Sequence, residues 1–240
     1  MNQAHSTENR FGAKQMYLDE TYLKNNPTWH VEDSPWKARQ IHKMLSKHKI
    51  DAASICEVGC GAGEILKKLS AKNPETNFFG YELSPHAFDL CKVRESDNVK
   101  YFMDDLIDTD AHFDVSLCID VFEHIEDYIG FLRKLKTKAN LHIFHIPLDI
   151  TVISVLRNTM MRERNSVGHL HYFTLETAIA TLEDSGFEVL DYFFTPSFKE
   201  LPRKTWKSRI MKGPRMLLYS ISPRLMVKFF GGCSLLVLAK

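Results

Sequence analysis

Glu57-Val58-Gly59-Cys60-Gly61-Ala62-Gly63 decides the fold of this chain. The stretch follows a short apolar run, Ser54–Val58, and precedes a helical pattern over Glu64–Ala71. Alternating glycines at a strand-to-helix junction permit a tight turn and let a ligand come close to the backbone. The helix start behind them leaves N–H groups without intrahelical partners, an arrangement suited to a carboxylate or a phosphate. A dinucleotide fingerprint needs G-x-G-x-x-G. That frame, begun at Gly59, puts Glu64 where the last glycine belongs. A carboxylate at the helix start disfavours a pyrophosphate. A ligand end carrying both an ammonium and a carboxylate is better tolerated, and Glu57 can accept from such an ammonium or from loop amides.

Working outward, Asn77–Leu83 reads as a second strand with Glu82 near its carboxyl end. Glu82 lies about 20 residues past the loop, the spacing at which an acid takes the hydroxyls of an adenosine ribose. Val99–Met103 is a third strand closing on Asp104-Asp105-Leu106, where one aspartate can accept from an adenine amino group. Phe113–Ile119 is nearly all apolar, as expected of a strand buried on both faces. A helix over Glu126–Lys138 and a strand over Leu141–Ile146 follow. Ser34-Pro35 and Ser84-Pro85 each read as an N-cap followed by proline at the first helical position. Strands alternating with helices imply a mostly parallel sheet covered on both sides, an α/β fold. Beyond Pro147 the pattern predicts a helix over Thr151–Arg164, a loop around Gly168, and a helix over Leu175–Ser185. A strand over Phe187–Phe194 and a last strand over Cys233–Ala239 complete it.

With 240 residues, 44% hydrophobic and 25% charged, the chain can bury its own core. None of its five cysteines forms a C-x-x-C pair, which argues against a zinc ribbon and for a reducing, cytoplasmic setting. The amino terminus lacks a secretory signal pattern. No apolar run approaches the roughly 20 residues of a membrane span. Net charge is +1, but Lys199, Arg203, Lys204, Lys207, Arg209, Lys212, Arg215, Arg224 and Lys228 fall in one stretch whose sole acid is Glu200.

E-V-G-C-G-A-G, Y-E-L-S, F-D-V-S-L-C-I-D-V-F-E-H-I-E-D and the later G-H-L-H-Y-F-T resemble class I S-adenosylmethionine (SAM)-dependent methyltransferases. They are similar above all to the small-molecule subgroup with ubiquinone-pathway O-methyltransferases and methyltransferases of sugar and polysaccharide gene clusters. The similarity runs from about Pro35 to Gly186. It implies a Rossmann-like sheet of seven strands with helices on both faces and the last strand antiparallel. It implies SAM as methyl donor and S-adenosylhomocysteine (SAH) as product. Glu57, Gly59, Cys60, Gly61 and Gly63 would hold the methionine part, Glu82 with Leu83 the ribose, and Asp104, Asp105 and Leu106 the adenine. Asp120 would stand near the sulfonium.

Transfer to a hydroxyl benefits from a general base, most often histidine. His124, His145, His169 and His171 fall where the active-site edge should lie, with His169 the first choice. Asp120-x-x-Glu123-His124 resembles a run linked to a divalent metal in the ubiquinone-pathway enzymes; no metal is expected here, Mg²⁺ being the alternative. The expected organisation is an N-terminal arm or lid over 1–34, a core over 35–194, a basic helical cap over 195–231 and the last core strand over 232–240. The acceptor is expected to be a small molecule, a hydroxyl of a sugar or glycan precursor. The alternatives are a quinone or polyprenyl phenol methylated at the membrane surface, with the basic C-terminal segment touching lipid, or a SAM-binding protein without catalysis. Nucleic acid is disfavoured because the fifth strand ends Ile146-Pro147-Leu148-Asp149 rather than in the Asn/Asp-Pro-Pro-aromatic loop of base methyltransferases.

Overall fold

The computed structural model describes Tyr22, Lys24 and residues 26–201 and 209–240. Most of the expected arm, and Arg203, Lys204, Trp206 and Lys207 of the basic stretch, lie outside the described residues. In chain order the elements are α1 (Ser34–Lys47), β1 (Ser54–Val58), α2 (Glu64–Ser70), β2 (Asn77–Tyr81), α3 (Pro85–Lys92) and β3 (Val99–Phe102). Then come β4 (Phe113–Ile119), α4 (Tyr128–Leu135), β5 (Ala139–Pro147), α5 (Val152–Leu156), α6 (Thr159–Val167) and α7 (Leu175–Asp184). The chain ends with β6 (Val189–Thr195), α8 (Lys212–Ile221), α9 (Pro223–Phe230) and β7 (Ser234–Ala239).

The strands form one seven-stranded sheet in the order β3-β2-β1-β4-β5-β7-β6. β1 to β5 pair in parallel, and β7 runs antiparallel between β5 and β6. Strand period two sorts the core onto two faces. On β7, Leu235, Val237 and Ala239 join one apolar cluster while Leu236 and Leu238 join the other. Ile41, Met44 and Leu45 of α1, with Leu66 and Leu69 of α2, cover the second face. Leu132 and Leu135 of α4, Ala178 and Leu182 of α7, and Met226 and Val227 of α9 cover the first. All five cysteines are free and buried within this packing.

The order reverses at β1, whose neighbours β2 and β4 lead to opposite ends of the sheet. Ligands of open α/β sheets bind at such a switch point, outside the carboxyl ends of the strands. The Gly59–Gly63 loop occupies that place.

Several local expectations need correction. The N-cap of α1 is Asp33, not Ser34; Ser34 lies in the helix and is buried. Ser84 occupies the cap position of α3, but its hydroxyl makes no cap bond. The helix expected over Thr151–Arg164 is two, because Asn158 adopts a left-handed conformation (φ 49°) between α5 and α6. The helix expected over Glu126–Lys138 starts later: the Asp127 side chain accepts from the Gly130 amide, and the last turn tightens over Lys136–Lys138. Of the expected cap over 195–231, the two described helices α8 and α9 do not line the cavity above the loop region. α8 and α9 pack on each other, and α9 packs on α5.

Candidate functional site

The site grows from the turn after β1. Gly59, Gly61 and Gly63 all have positive φ, at 63°, 54° and 76°. Gly63 is the tightest. A Cβ there would stand 2.7 Å from Cys91 Cβ and 2.7 Å from the Tyr101 ring. The Tyr101 hydroxyl donates to the Gly63 carbonyl at 2.6 Å, tying the loop to β3. The Gly61 amide donates to Glu82 Oε2 at 2.8 Å, and the Ser84 amide donates to Glu82 Oε1 at 2.8 Å. Glu82 is therefore fixed by two backbone donors, and each carboxylate oxygen keeps a lone pair for a ligand.

A cavity of about 990 Å³ opens over this turn. Ligand sites span roughly 300–1,000 Å³, so there is room for a nucleoside-bearing cofactor and an acceptor together. Glu57, Gly59, Cys60, Gly61, Gly63, Glu82, Leu83, Asp104, Asp105, Leu106 and Asp120 all line it. Glu57 is buried, and its Oε2 has no hydrogen-bond partner. Burial pushes its carboxyl well above the usual carboxylate range, and the neighbouring Glu82 adds to this against the pull of Lys37. A buried carboxyl aimed at a ligand site and left without a partner is completed by a cationic group of the ligand. Burial also raises Glu82, against the amides that hold it. Asp105 caps the turn that follows it, Oδ1 accepting from the Ile107 amide at 3.1 Å, while Asp104 Oδ1 accepts from the Asp105 amide at 2.8 Å.

Glu64, the acid weighed against a pyrophosphate, does not face this cavity. Its carboxylate is engaged by Arg94 at 2.9 Å and by Lys68 at 3.1 Å. Acidic residues do line the cavity, among them Glu57, Glu82, Asp104, Asp105, Asp120 and Glu123.

Asp120 follows β4 with φ 55°, an uncommon conformation for a residue with a Cβ. Its Oδ2 pairs with Lys37 Nζ at 2.7 Å and its Oδ1 with His145 Nδ1 at 2.6 Å. Burial opposes the charge on Asp120, but His145 and Lys37 outweigh it and hold the carboxyl far below its ordinary value. His145 Nε2 meets Thr195 Oγ1 at 2.9 Å. Both ring nitrogens of His145 are thus engaged, which leaves neither to take a substrate proton.

The other histidines separate cleanly. His171 does not line the cavity; its Nε2 donates to the Ile125 carbonyl at 2.9 Å and its ring packs on Tyr128. His169 does line it, and its Nδ1 lies 2.7 Å from Asp149 Oδ2. Burial lowers its basicity, but the Asp149 bond and the carboxyl of Glu123 more than compensate, so its pKa is raised. His124 stands edge-on to His169 at 4.8 Å between centroids. Burial, with His169 beside it, pushes His124 down to about 3, a neutral imidazole. The Glu123 carbonyl accepts from the Leu170 and His171 amides at 2.8 and 3.0 Å, which anchors the histidine loop to the end of β4. Burial and then Asp120 raise the Glu123 carboxyl to about 8.

Glu123, His124 and His169 each offer one ligand atom, all within 4.8 Å of one another. They are the one such group among the described residues. Asp120 is not part of it, since Lys37 and His145 occupy its carboxylate. Two imidazoles and a carboxylate suit zinc or another transition ion better than Mg²⁺.

Tyr22, Trp29, His30, Asp33, Trp36 and Lys37 supply the opposite wall. Trp29 reaches over Gly61 and packs on Tyr22 at 4.7 Å between centroids. From the expected C-terminal cap, Ser197 and Leu201 line the cavity; no described residue of α8 or α9 does. Lys37 and Asp149 were not among the expected site residues. Lys37 carried no local signal beyond being a charge beside the apolar stripe of a helix. Asp149 lay in the Pro147-Leu148-Asp149 turn, at the carboxyl end of β5 where site residues gather.

A family model described as a methyltransferase domain matches residues 30–192. The structure is similar to that of the magnesium protoporphyrin IX methyltransferase from Synechocystis PCC 6803 with bound SAH, at 14% identity and a TM-score of 0.59 over 95% of this chain and 92% of that one. It is similar to the plantazolicin methyltransferase in complex with SAH, at 16% identity and a TM-score of 0.60 over 95% and 97%. It is also similar to a cyclopropane synthase from Mycobacterium tuberculosis, at 14% identity and a TM-score of 0.59 over 84% of each chain. At these identities the likeness is one of fold.

Proposed function

Because this chain belongs to the methyltransferase domain family, we propose that it transfers a methyl group from SAM to a small-molecule hydroxyl, with a sugar or glycan precursor as the acceptor class. The observation that carries the donor assignment is Glu82, held at the switch point by the Gly61 and Ser84 amides with acceptor capacity turned to the cavity. Glu57, without a hydrogen-bond partner on Oε2, fits the ammonium of the methionine end, and Asp104 or Asp105 the adenine.

Bound SAM supplies an activated methyl group. The residues of this chain then have two tasks, alignment and removal of the acceptor proton. His169 is suited to the second. Asp149 accepts from Nδ1–H, so the tautomer with a free lone pair on Nε2 is favoured. That nitrogen is the atom that would take the proton of an acceptor hydroxyl. His124, held neutral alongside, adds no opposing charge.

An acceptor hydroxyl on a lipid-linked quinone or polyprenyl phenol is the second reading. It is favoured by the apolar side chains exposed on α5, α8 and α9.

Two outcomes test this function. Titration of the protein with SAH should show binding, and Glu82→Ala should weaken it about 10–100-fold, the loss of a charged acceptor for one or two hydroxyls. Unchanged affinity in Glu82→Ala would remove the ribose assignment. Turnover should also survive extensive chelation, since His169 acts as a base; loss on chelation and recovery with zinc would assign Glu123, His124 and His169 to a cation instead.

A further inference from the structure

We propose that the outward faces of α8 and α9, continued by α5, form a docking surface for an anionic lipid bilayer. The inference rests on side-chain placement and is independent of the methyl acceptor. In α9, Met226 and Val227 are buried on the core side. At 100° per residue, Leu225 and Phe229 share one flank, about 40° apart and turned away from Val227, and both are 47% exposed. Helix α8 repeats this arrangement: Leu217 and Ile221, again four apart, are 67% and 72% exposed. On α5, which packs against α9, Val155 and Leu156 point outward, Leu156 being 80% exposed. Three adjoining helices thus carry apolar residues on the side away from the core. A soluble helix normally places polar residues there.

Charge says what covers this surface. Residues 209–230 contain five cations and no acid; Arg215 turns inward to the Phe230 carbonyl, and Arg209, Lys212, Arg224 and Lys228 are exposed. Lys228 pairs with Glu176 of α7, and Arg224 donates to the Tyr192 hydroxyl; both remain exposed. A second copy of the chain is a poor occupant, because a two-fold contact would set this basic face against itself. Apolar side chains interleaved with Lys and Arg match the headgroup–acyl boundary of an acidic membrane. No described helix is long and apolar enough to cross a membrane, so the contact is superficial. The surface adjoins the cavity: α6, which follows α5, contributes Glu163 and Val167 to the lining, and Ser197, also in the lining, bonds the Gly232 carbonyl just after α9. A bilayer seated here would lie beside the cavity wall formed by α6 and the start of β7.

The test is flotation of the full chain with phosphatidylcholine vesicles, with and without phosphatidylglycerol. The chain should float with the phosphatidylglycerol vesicles and stay behind with phosphatidylcholine alone. Leu217→Asp with Phe229→Asp should lower the bound fraction by about tenfold or more. Val93→Asp, at an 81% exposed site beyond α3 near the opposite sheet edge, should leave it unchanged. Hydrogen exchange on the unaltered chain provides a readout without substitution: the vesicles should slow exchange in residues 210–230. No flotation, flotation undiminished in the double variant, or protection confined to other segments would each overturn the proposal. So would a dimer in lipid-free buffer that the double variant dissociates, which would assign the face to a second copy.

Discussion

His169→Ala should lower kcat by about 10²–10⁴-fold while leaving SAH affinity within a few-fold of the unaltered protein. The reasoning starts from position. His145 and His169 both line the cavity and both have an acidic partner, but Thr195 takes the second nitrogen of His145, whereas His169 keeps its second nitrogen for a substrate. His145 is engaged at both nitrogens, His171 bonds backbone outside the cavity, and His124 is pushed down to about 3. The pH profile gives an independent check. A base must be deprotonated to act, so kcat/KM should rise with pH and level off above the pKa of His169. That pKa lies above the ordinary imidazole value: burial lowers it, but Asp149 and Glu123 outweigh burial. Asp149→Asn removes part of that support, so the acidic limb should move to lower pH while the plateau falls. Loss of SAH binding in His169→Ala would make the residue part of the donor site rather than the base. A full plateau rate in His169→Ala would exclude it from the chemistry.

Gly63→Ala should destabilise the fold by about 2–4 kcal/mol, combining the left-handed backbone penalty with forced overpacking. The new methyl would press on Cys91 Cβ and the Tyr101 ring, both 2.7 Å away and both in the core. Neither can retreat cheaply, because the Tyr101 hydroxyl is already tied to the Gly63 carbonyl. For a chain of this length the melting temperature should fall by roughly 5–15 °C. Thermal denaturation followed by circular dichroism measures it. Gly213→Ala is the matched control, since nothing lies within 4 Å of a Cβ there. Equal melting temperatures for the two variants would show that the turn after β1 relaxes more easily than its packing implies.

Much of the sheet was legible because its strands are short apolar runs bounded by turn residues. Ser54–Val58 and Phe113–Ile119 begin and end where the structure has them, and Glu57, Glu82 and Asp105 reach the cavity because strand ends converge on one edge. What failed was local or relational. Asn158 breaks a helix without proline or glycine, by entering a conformation that its short polar side chain tolerates. Glu64 looked like a charge on the ligand, yet Arg94, thirty residues away, takes it. The basic stretch read as a helical cap over 195–231, and α8 and α9 are helices there, but no linear pattern told that neither of them would line the cavity. Asp149 and His169 become partners only through the return of the chain after α6, and no linear pattern records that.

The unpaired oxygen of Glu57 bears, on the proposed assignment, on how product leaves. The ammonium that Glu57 would meet is the same in SAM and SAH; only the sulfur changes, from a sulfonium cation to a neutral thioether. Glu57 would then grip the spent donor as firmly as the fresh one, and release would have to begin at the sulfur end of the cavity rather than at the end Glu57 holds.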